Sequence, residues 1–261
     1  MINNNMIDIV IVSHGNYEDL VNIFDELSGC EQCNIWVRDN LSEDKVRVLC
    51  SQYNVNYSPA LRSEGFALNN NIIVEEIIKQ RNNCHSDYES HYILFMNPDA
   101  FITKKDFVSL KTKVIKTQPD MFTIDLYKDK LFTVRDPAIR HFPSIATFFF
   151  SFLVNKNNSI IERDNLTETS NPDWCASSFF GIKLRNYIDL NGFDSRFFMY
   201  CEDVDLCYRA KQKGLKLTYY PDICGIHRAN HGSKKIFSQN FLWHFSSAIR
   251  YIWYRINERR K

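Results

Sequence analysis

Residues 7–13 have the sequence Ile-Asp-Ile-Val-Ile-Val-Ser, a short β-branched run that predicts a strand buried on both faces. Capping and turn residues follow at 13–16, and residues 17–27 carry apolar side chains at helical spacing. This order of strand and helix recurs along the chain as far as residue 96. Alternating strands and helices indicate βαβ units and a mostly parallel central sheet flanked by helices, which is an α/β fold.

The same patterns give bounds for each predicted element. In the first hundred residues we expect strands at 7–13, 34–37, 55–57 and 91–96 and helices at 17–27, 42–53 and 65–80. The second half is more mixed, and its predicted elements are helices at 105–116, 186–190 and 203–213, a hairpin at 121–127 and 131–135, and strands at 173–182, 215–220 and 223–227. The polar residues 155–171 predict a loop.

The composition is that of an ordinary globular protein, with 44% hydrophobic and 24% charged residues in 261. No apolar run approaches the ~20 residues that a membrane span needs, and the first residues lack the basic and apolar regions of a signal peptide. The eight cysteines have no regular framework spacing, which predicts reduced thiols in a cytoplasmic protein.

The formal net charge of +1 conceals a basic tail. Residues 228–261 contain eight basic residues and one acidic residue, whereas the remainder has 24 basic and 30 acidic residues. Residues 231–261 predict a basic amphipathic helix that lies on an anionic membrane surface. The aromatic run 148–154 offers a second apolar contact. The alternative is a helix docked on the main domain with a solvated basic face. The apolar side of the tail argues against nucleic acid as its partner.

Polar residues follow three of the predicted strands. They are Ser13 with His14, Asp39 with Asn40, and Asn97 with Asp99. Because ligands bind beyond the carboxyl ends of such strands, these positions predict a nucleotide-type site. The alternative is that they only cap the helices that follow. Neither a G-x-G-x-x-G motif nor a P-loop occurs, which disfavours an NAD site or an ATPase.

A third feature is the segment 192–207, Gly-Phe-Asp-Ser-Arg-Phe-Phe-Met-Tyr-Cys-Glu-Asp-Val-Asp-Leu-Cys. Aromatic residues at 197, 198 and 200 precede three acids, Glu202, Asp203 and Asp205. Carboxylates beside aromatic side chains are costly to desolvate, so the pattern indicates a pocket wall that presents acids to a proton, a cation or a sugar. The alternative is a helix N-terminus whose dipole favours acids. Asp205 is expected to pair with Arg209.

Five of these segments occur in an order that resembles a known family. They are Ile9-Val10-Ile11-Val12-Ser13, Val37-Arg38-Asp39-Asn40, Gly65-Phe66-Ala67 with Asn69-Asn70-Asn71, Leu94 to Asp99, and Gly192-Phe193-Asp194 with Glu202 to Leu206. Together they resemble family 2 glycosyltransferases of the GT-A fold, and most closely the WbbL-type bacterial rhamnosyltransferases of O-antigen or cell-wall polysaccharide synthesis. The likeness covers nearly the whole chain, including Asp173 to Ala176 and the tail.

The resemblance implies roles for the matching positions. The residues expected to bind the nucleotide-sugar donor are Ser13, His14, Asp39, Gly65, Asn70 and Asp99. Asp203 matches the catalytic base, with Glu202 as its rival, and Asp99 and His227 match positions near a divalent cation, Mg²⁺ or Mn²⁺. The implied acceptor pocket is Trp174, Cys175, Ala176 and Tyr200, although Trp174 can equally be core. His227 can equally be a structural histidine.

The chemistry of sugar transfer agrees with these residue types. A diphosphate leaving group needs its charge neutralised, which suits a hard cation. The acceptor hydroxyl must lose a proton, which a carboxylate can take. One base and direct attack imply inversion of configuration. Asn97 replaces the first acid of a strict D-x-D, so one carboxylate, Asp99, remains for the metal.

The resemblance also implies partners and a domain plan. The expected donor is dTDP-L-rhamnose, with a UDP-hexose as the alternative. The expected acceptor is N-acetylglucosamine linked to a polyprenyl diphosphate at the inner face of the cytoplasmic membrane. Residues 1–230 form the GT-A domain, divided into a donor half at 1–100 and an acceptor half at 101–230. A non-catalytic nucleotide- or glycan-binding relative is the alternative of another class.

Overall fold

The computed structural model describes residues 6–81, 88–143, 159–161, 163, 166, 171–229 and 239–258. The strands are β1 Met6–Ser13, β2 Cys33–Asp39, β3 Asn56–Pro59, β4 His91–Met96, β5 Ala100–Phe101, β6 Met121–Tyr127, β7 Ile139–Arg140, β8 Trp174–Cys175, β9 Phe179–Lys183 and β10 Leu217–His227. The helices are α1 Tyr17–Leu27, α2 Asp44–Gln52, α3 Phe66–Gln80, α4 Lys104–Thr117, α5 Leu184–Asp189, α6 Glu202–Gln212 and α7 Gln239–Glu258.

Within the described residues, one large sheet organises the molecule. Its strand order is β3-β2-β1-β4-β9-β6-β10-β5, and β7 pairs with β8 in a small second sheet. The pairs β1–β2, β1–β4, β2–β3 and β6–β10 are parallel, whereas β9 runs antiparallel to β4 and β6 and β5 runs antiparallel to β10. The α/β fold class is confirmed, and each of its antiparallel pairs includes a strand from the second half of the chain.

Helices cover both faces of this sheet, so the first strand is buried on each side. On β1, Ile9 and Ile11 pack in one apolar layer with side chains from α1, α2 and α4. Val10 packs in the other layer, with side chains from α3, α5, α6 and α7. This double burial is the physical reason for the β-branched run at 7–13, since neither face of the strand meets water.

Four predicted strands differ from the structure. Residues 173–182 form two strands rather than one, because 176–178 turn the chain from the small sheet into the large one. The predicted strands at 215–220 and 223–227 form one strand, β10 (Leu217–His227), with an irregularity between Tyr220 and Cys224 around Pro221, which has no amide hydrogen for the ladder. The predicted hairpin arm at 131–135 is reduced to an isolated bridge from Tyr127 to Arg135, because the Asp129 carboxylate instead caps the amides of 133 and 134 in a local turn.

Several predicted features fall outside the described residues. They are the aromatic run 148–154, most of the loop 155–171, and the tail residues at 231–238 and 259–261. The tail helix itself is present as α7. Among the described helices, none is both long enough and apolar enough to cross a bilayer.

Candidate functional site

The ends of β1 and β2 lie side by side, because Ser13 pairs in register with Asp39. The Ser13 hydroxyl is fully buried and has no hydrogen-bond partner among the described residues. The Asp39 carboxylate accepts the backbone amides of Leu41 at 3.1 Å and Glu43 at 2.6 Å and the Tyr57 hydroxyl at 3.1 Å. Asp39 therefore caps the loop that leads into α2, as the alternative interpretation expected.

The next residue, Asn40, connects this loop to α3. Its side-chain oxygen accepts from the Glu64 amide at 2.9 Å and from the Asn69 side chain at 3.1 Å. The buried Asn69 also accepts Nε of Arg38 at 3.0 Å. His14 is exposed, and its Nδ1 lies 3.4 Å from the Asn40 amide nitrogen. We call Asp39, Asn40 and Asn69 the strand-end cluster.

Gly65 joins the start of α3 to the segment 192–201. The Phe66 amide donates to the Phe198 carbonyl at 2.8 Å, and a Cβ at position 65 would meet that same oxygen at 2.4 Å. Only glycine allows this approach of two backbones. Asn70 is buried and donates to the Phe66 carbonyl at 2.8 Å within its own helix. Asn71 extends the link by donating to the Phe193 carbonyl at 2.8 Å.

Asp99 and His227 lie close together beyond the end of β4, because β10 pairs there with β5 and brings His227 opposite Ala100. His227 Nε2 lies 3.4 Å from Asp99 Oδ1 and 3.4 Å from the Asn97 side-chain nitrogen. Its Nδ1 contacts the buried carboxylate of Asp136. Burial lowers the pKa of His227, but the hydrogen bonds and charges of Asp136 and Asp99 outweigh it and raise this pKa to about 9. The ring therefore carries a proton at neutral pH when these carboxylates are its only partners.

The segment 192–207 delivers its acids at the N-terminus of α6. Tyr200 and Cys201, which precede Glu202, both have left-handed backbone angles, with φ of 70° and 66°. Such a conformation is uncommon for side chains other than glycine and costs free energy that the surroundings must supply. The first turn of α6 then holds Glu202, Asp203 and Asp205, which we call the acid cluster.

The three acids have different environments. Glu202 is buried, and one of its carboxyl oxygens has no partner among the described residues. Burial and the charge of Asp203 raise the pKa of Glu202 well above its ordinary value. Burial also raises the pKa of Asp203, but the Val204 amide at 2.8 Å, the charge of Arg140 and the Ser177 amide at 3.4 Å oppose this rise. More groups therefore favour the charged form of Asp203 than of Glu202, for which burial and the neighbouring acid favour the neutral form.

Asp205 has the structural role that its spacing predicted. Its carboxylate accepts Nε of Arg209 at 2.8 Å, which confirms the expected pair. Arg209 also donates to the carbonyls of Leu190 and Gly192, the latter at 2.9 Å. The pair therefore fastens α6 to the turn before the acid cluster.

The small sheet β7–β8, which we call the wall, leads into Ser177, whose amide contacts Asp203. Trp174 is buried, its Nε1 donates to the His141 carbonyl at 3.0 Å, and the Arg140 guanidinium lies 5.2 Å from its ring centre. Cys175 is fully buried, which places its thiol in the core behind this wall rather than on an open surface. The Ala176 amide donates to the Ala138 carbonyl at 2.8 Å, so the ladder continues one residue past the strand.

Residues Ser177 and Ser178 connect the two groups of acids. The Ser177 amide donates to Asp203, while the Ser178 carbonyl accepts the Asn97 amide at 3.0 Å. The turn between β8 and β9 therefore holds the Asp203 carboxylate close to the Asn97–Asp99 turn. The structure brings together Asp99 with His227, and Asp203 with the β8 residues, through one two-residue connection.

Helix α7 packs against the segment that leads into the acid cluster. The Ser247 hydroxyl donates to the Met199 carbonyl at 2.9 Å, the Trp243 ring lies 4.7 Å from that of Phe198, and the His244 ring lies 5.0 Å from that of Tyr200. Ala248 and Tyr251 are buried in the core, so one side of α7 is docked, as the alternative interpretation of the tail expected.

Sequence reasoning missed four residues of this site. Asp136 and Arg140 follow the predicted hairpin, in a stretch for which no element was predicted, and Ser177 lies inside a predicted continuous strand. Asn69 stands beside the predicted Asn70 and makes the contacts between elements that Asn70 does not make. One signal was present for Asp136, since an acid between Arg135 and Pro137 favours a turn over a strand.

Comparison with known proteins was made at the levels of sequence and of structure. No protein-family model matches the sequence. Rhamnosyltransferase WbbL of Escherichia coli (strain K12) is 33% identical over 249 residues, which are 95% of this chain and 92% of WbbL. The low-salt glycan biosynthesis hexosyltransferase Agl10 of Haloferax volcanii is 24% identical over 224 residues, 85% of this chain and 66% of Agl10.

Solved structures with the same fold include nucleotide and nucleotide-sugar complexes. The mannosyltransferase PcManGT of Pyrobaculum calidifontis with GDP-Man and Mn²⁺ has a TM-score of 0.58 at 12% identity over 94% of this chain, and S. aureus TarS 1-349 with UDP-GlcNAc has 0.61 at 12% over 95%. GalNAc-T7 with UDP, GalNAc and Mn²⁺ has 0.59 at 14% over 85%. This chain spans 64%, 65% and 43% of those three chains, respectively. By its extended identity with WbbL and its GT-A fold, the chain belongs to the WbbL-related glycosyltransferases.

Proposed function

We propose that this protein is an inverting family 2 glycosyltransferase that transfers L-rhamnose from dTDP-L-rhamnose to a polyprenyl-diphosphate-linked N-acetylglucosamine in cell-surface polysaccharide synthesis. The observation that carries this proposal is the 33% identity with a rhamnosyltransferase over 95% of the chain. The geometry supports the reaction type, because a half-buried carboxylate, Asp203, is held one short turn away from Asp99 and His227.

In this mechanism Asp203 is the general base. Its carboxylate accepts the proton of the acceptor hydroxyl as that oxygen bonds to the anomeric carbon and the bond from this carbon to the donor diphosphate breaks. The amides of Ser177 and Val204 orient the carboxylate. Asp203 is chosen over Glu202 because Glu202 is the more deeply buried acid and its pKa is raised well above its ordinary value, which disfavours the charged form that a base needs. One displacement with one base inverts the configuration at the anomeric carbon.

The residues around His227 fit a divalent cation, Mg²⁺ or Mn²⁺. Asp99 Oδ1 and His227 Nε2 are 3.4 Å apart, and Asp136 on Nδ1 orients the ring as a carboxylate behind a ligating histidine does. No cluster of three or more His, Cys, Asp or Glu side chains suited to a metal occurs among the described residues, so the donor phosphates and water would complete the coordination. When bound, the cation neutralises the diphosphate. Because His227 must lose its proton, affinity should rise with pH.

The proposed reaction is tested by incubating the purified protein with a panel of nucleotide sugars and a polyprenyl-diphosphate-linked N-acetylglucosamine, followed by analysis of the products. Transfer from dTDP-L-rhamnose, with inverted configuration and with loss of turnover in the Asp203→Asn variant, is expected. Transfer only from a UDP-hexose would keep the enzyme class and reject the sugar. Full activity in excess chelator would reject the metal.

We also propose that α7 holds the protein on the inner face of the cytoplasmic membrane, where such an acceptor lies. The side of α7 away from the core exposes four large apolar side chains by 46–61%: Leu242, Phe245, Ile249 and Trp253. We call these four residues the α7 stripe. Exposed apolar residues along one helix face, in a tail rich in arginine, are typical of helices that lie on anionic bilayers.

The membrane proposal is tested with the full chain. Replacing the α7 stripe by serine leaves the docked residues Ala248 and Tyr251 in place, whereas truncation would uncover the core. We expect the variant to lose co-sedimentation with vesicles that contain anionic lipid. A matched control replaces exposed apolar residues elsewhere, Leu61, Leu131, Val48 and Val108, by serine. Equal sedimentation of the wild type and the stripe variant would contradict the proposal.

A further inference from the structure

We propose that Ser178 is a specificity-determining residue of the donor site, whose hydroxyl group bonds a ring hydroxyl of the sugar that is transferred. This assignment rests on the proposed function, in which Asp203 is the base and the donor diphosphate lies at Asp99 and His227. Ser178 belongs to none of the five segments on which the family resemblance depends. Its position in the fold, its unpaired hydroxyl group and the geometry of sugar transfer support the assignment.

Ser178 lies between the two groups of acids at the candidate site. Its carbonyl group accepts the Asn97 amide at 3.0 Å, which continues the antiparallel register of β4 and β9 by one pair. The Asn97 side-chain nitrogen in turn lies 3.4 Å from Nε2 of His227. The residue before Ser178, Ser177, donates its amide to the Asp203 carboxylate at 3.4 Å. Ser178 is therefore adjacent to a residue that contacts the proposed base and is bonded to a residue beside the proposed cation site.

The donor sugar must lie across this interval. Its anomeric carbon is bonded to the diphosphate at Asp99 and His227, and this carbon is attacked by the acceptor oxygen that Asp203 deprotonates. The transferred ring is therefore held between these groups, where Ser178 is. Because inversion requires attack from the side opposite to the leaving group, the acceptor approaches Asp203 from the side away from the diphosphate. The position of Ser178 thus favours a contact with the donor sugar over one with the acceptor.

The Ser178 hydroxyl group is buried and unpaired. The residue is 3% exposed, and its Oγ has no hydrogen-bond partner within the part of the chain that the structure describes. Buried polar groups without a partner are destabilising, and folded proteins keep few of them. By contrast, the buried hydroxyl group of Thr123 on β6 donates to the Phe179 carbonyl at 2.8 Å. An unpaired hydroxyl group at a candidate site is expected where a ligand is its partner.

Two further buried oxygen atoms at this site have no partner among the described residues. They are Ser13 Oγ at the end of β1 and Glu202 Oε2 at the start of α6. In the large sheet, β4 has β1 on one side and β9 on the other. Ser13 and Ser178 therefore flank the turn that follows β4, which carries Asp99. Unpaired oxygen atoms on both sides of this turn fit a ligand that is rich in hydroxyl groups.

A serine hydroxyl group has the chemistry that a sugar hydroxyl requires. It donates one hydrogen bond and accepts two, so it bonds a group that does the same. Rotation about χ1 gives Oγ three staggered positions, so it can turn toward an entering ring without a movement of the backbone. A site that bonds a substrate hydroxyl rejects an analogue without it, because the protein group is then left unpaired. Ser178 thus selects the transferred sugar.

The test compares the affinities of the full chain for dTDP-L-rhamnose and for dTDP, measured by calorimetric titration. Ser178→Ala should weaken binding of the sugar nucleotide about tenfold, as expected for one lost hydrogen bond, and leave binding of dTDP unchanged. The variant should lose the same factor in kcat/KM. With the analogue of the donor that lacks the bonded ring hydroxyl, the wild type and the variant should have equal kcat/KM.

Stability separates this role from a structural one. Ser178→Ala removes an unpaired group, so its melting temperature should equal or exceed that of the wild type. The matched control is Thr123→Val, which removes a buried hydroxyl group that has a partner. It should lower the melting temperature and leave the ratio of the two affinities unchanged. Ser178→Cys, with a weaker donor of similar size, should lie between the wild type and Ser178→Ala and covers a failure of the latter to fold.

Equal losses of affinity for dTDP and dTDP-L-rhamnose in Ser178→Ala would overturn the inference. An equal loss of kcat/KM with every deoxy analogue of the donor, or a loss that depends on the acceptor hydroxyl groups, would overturn it as well. If the wild type binds dTDP-L-rhamnose but transfers no sugar, the proposed function fails, and the ratio of affinities still decides the role of Ser178. If the wild type uses only a UDP-hexose, the same comparison is made with that donor and UDP.

Discussion

The strand-end cluster and the acid cluster are both buried groups of polar side chains at the site, but they differ in how fully their atoms are paired. Asp39 accepts three hydrogen bonds. Asn69 donates to Asn40, and both side chains donate to the loop at 63–64. In the acid cluster, Glu202 leaves an oxygen unpaired among the described residues, and burial raises the pKa of both Glu202 and Asp203. Buried polar groups whose hydrogen bonds are all made stabilise the fold. Buried acids with an unpaired oxygen and a shifted pKa are instead typical of functional sites.

The largest expected effect concerns the acid cluster. Asp203→Asn should lower kcat by about 10³-fold, since a positioned general base contributes about 10²–10⁴-fold. Asparagine has one acceptor oxygen, so it can keep the bond from the Val204 amide or the bond from the Ser177 amide but not both. The free energy of unfolding should therefore fall by about 1 kcal/mol, and donor binding should change little. Turnover assays beside nucleotide-sugar titration check this.

Asp205→Asn is the matched control, because it breaks the pair with Arg209 and should lower the free energy of unfolding by about 1–3 kcal/mol. Retained turnover in Asp203→Asn would remove Asp203 as the base.

A second prediction tests how the two clusters are joined. Gly65→Ala should lower the free energy of unfolding by about 3 kcal/mol, because its Cβ would lie 2.4 Å from the Phe198 carbonyl and would push apart α3 and the segment before the acid cluster. Urea denaturation measures this. Lys183→Ala, at the N-cap of α5 where no side-chain cap bond exists, should change stability by less than about 0.5 kcal/mol. Equal stability of the two variants would contradict the close approach.

The third prediction concerns the pKa of His227 and applies to protein that is kept free of metal by a chelator. Its pKa is raised from 6.5 to about 9 when folded. The protonated ring therefore contributes stability that is fully present below about pH 6.5 and is lost as the pH rises through about 9. We expect the wild type to lose about 2 kcal/mol across this window relative to His227→Gln. Urea denaturation at several pH values gives the difference, and parallel curves would show that Asp136 and Asp99 do not hold the proton.

The smallest effect is expected in the strand-end cluster. Asp39→Ala should lower the free energy of unfolding by about 1–2 kcal/mol, because the amides of Leu41 and Glu43 lose their acceptor. If Asp39 also contacts the donor, the affinity for the nucleotide sugar should fall as well, by more than the loss of stability explains. Thermal denaturation and donor titration separate the two contributions, and unchanged stability would show that the observed cap is not important.

The first half of the fold followed from the sequence more closely than the second. Strand β1 begins and ends within one residue of the predicted 7–13, and β4 matches 91–96. Their patterns are local, since burial on both faces demands an unbroken apolar run. The predicted strand 173–182 was divided in two because the turn at 176–178 serves partners far away in sequence, Asn97 and Asp203. The hydrophobic pattern of residues 173–182 contains no information about partners so distant in sequence.

The candidate site likewise contains contacts that the local sequence predicted and contacts that it did not. The pair Asp205–Arg209 was predictable, because it depends only on helical spacing. The contacts of Asp136 and Arg140 were not, because their partners lie 91 residues away in His227 and 34 residues away in Trp174. The tail helix was predicted, but the side that it docks was not, since residues with similar hydrophobicity occur on both sides of α7.

By itself the sequence determined the α/β class, the strand ends that carry polar residues, and the acids at 202, 203 and 205, because these depend on periodicity and on residues close together in the chain. Only the tertiary structure distinguished the environments of Glu202 and Asp203. That outcome depends on burial of Glu202, on the Ser177 amide and on the cation of Arg140, all supplied by the packing of distant segments.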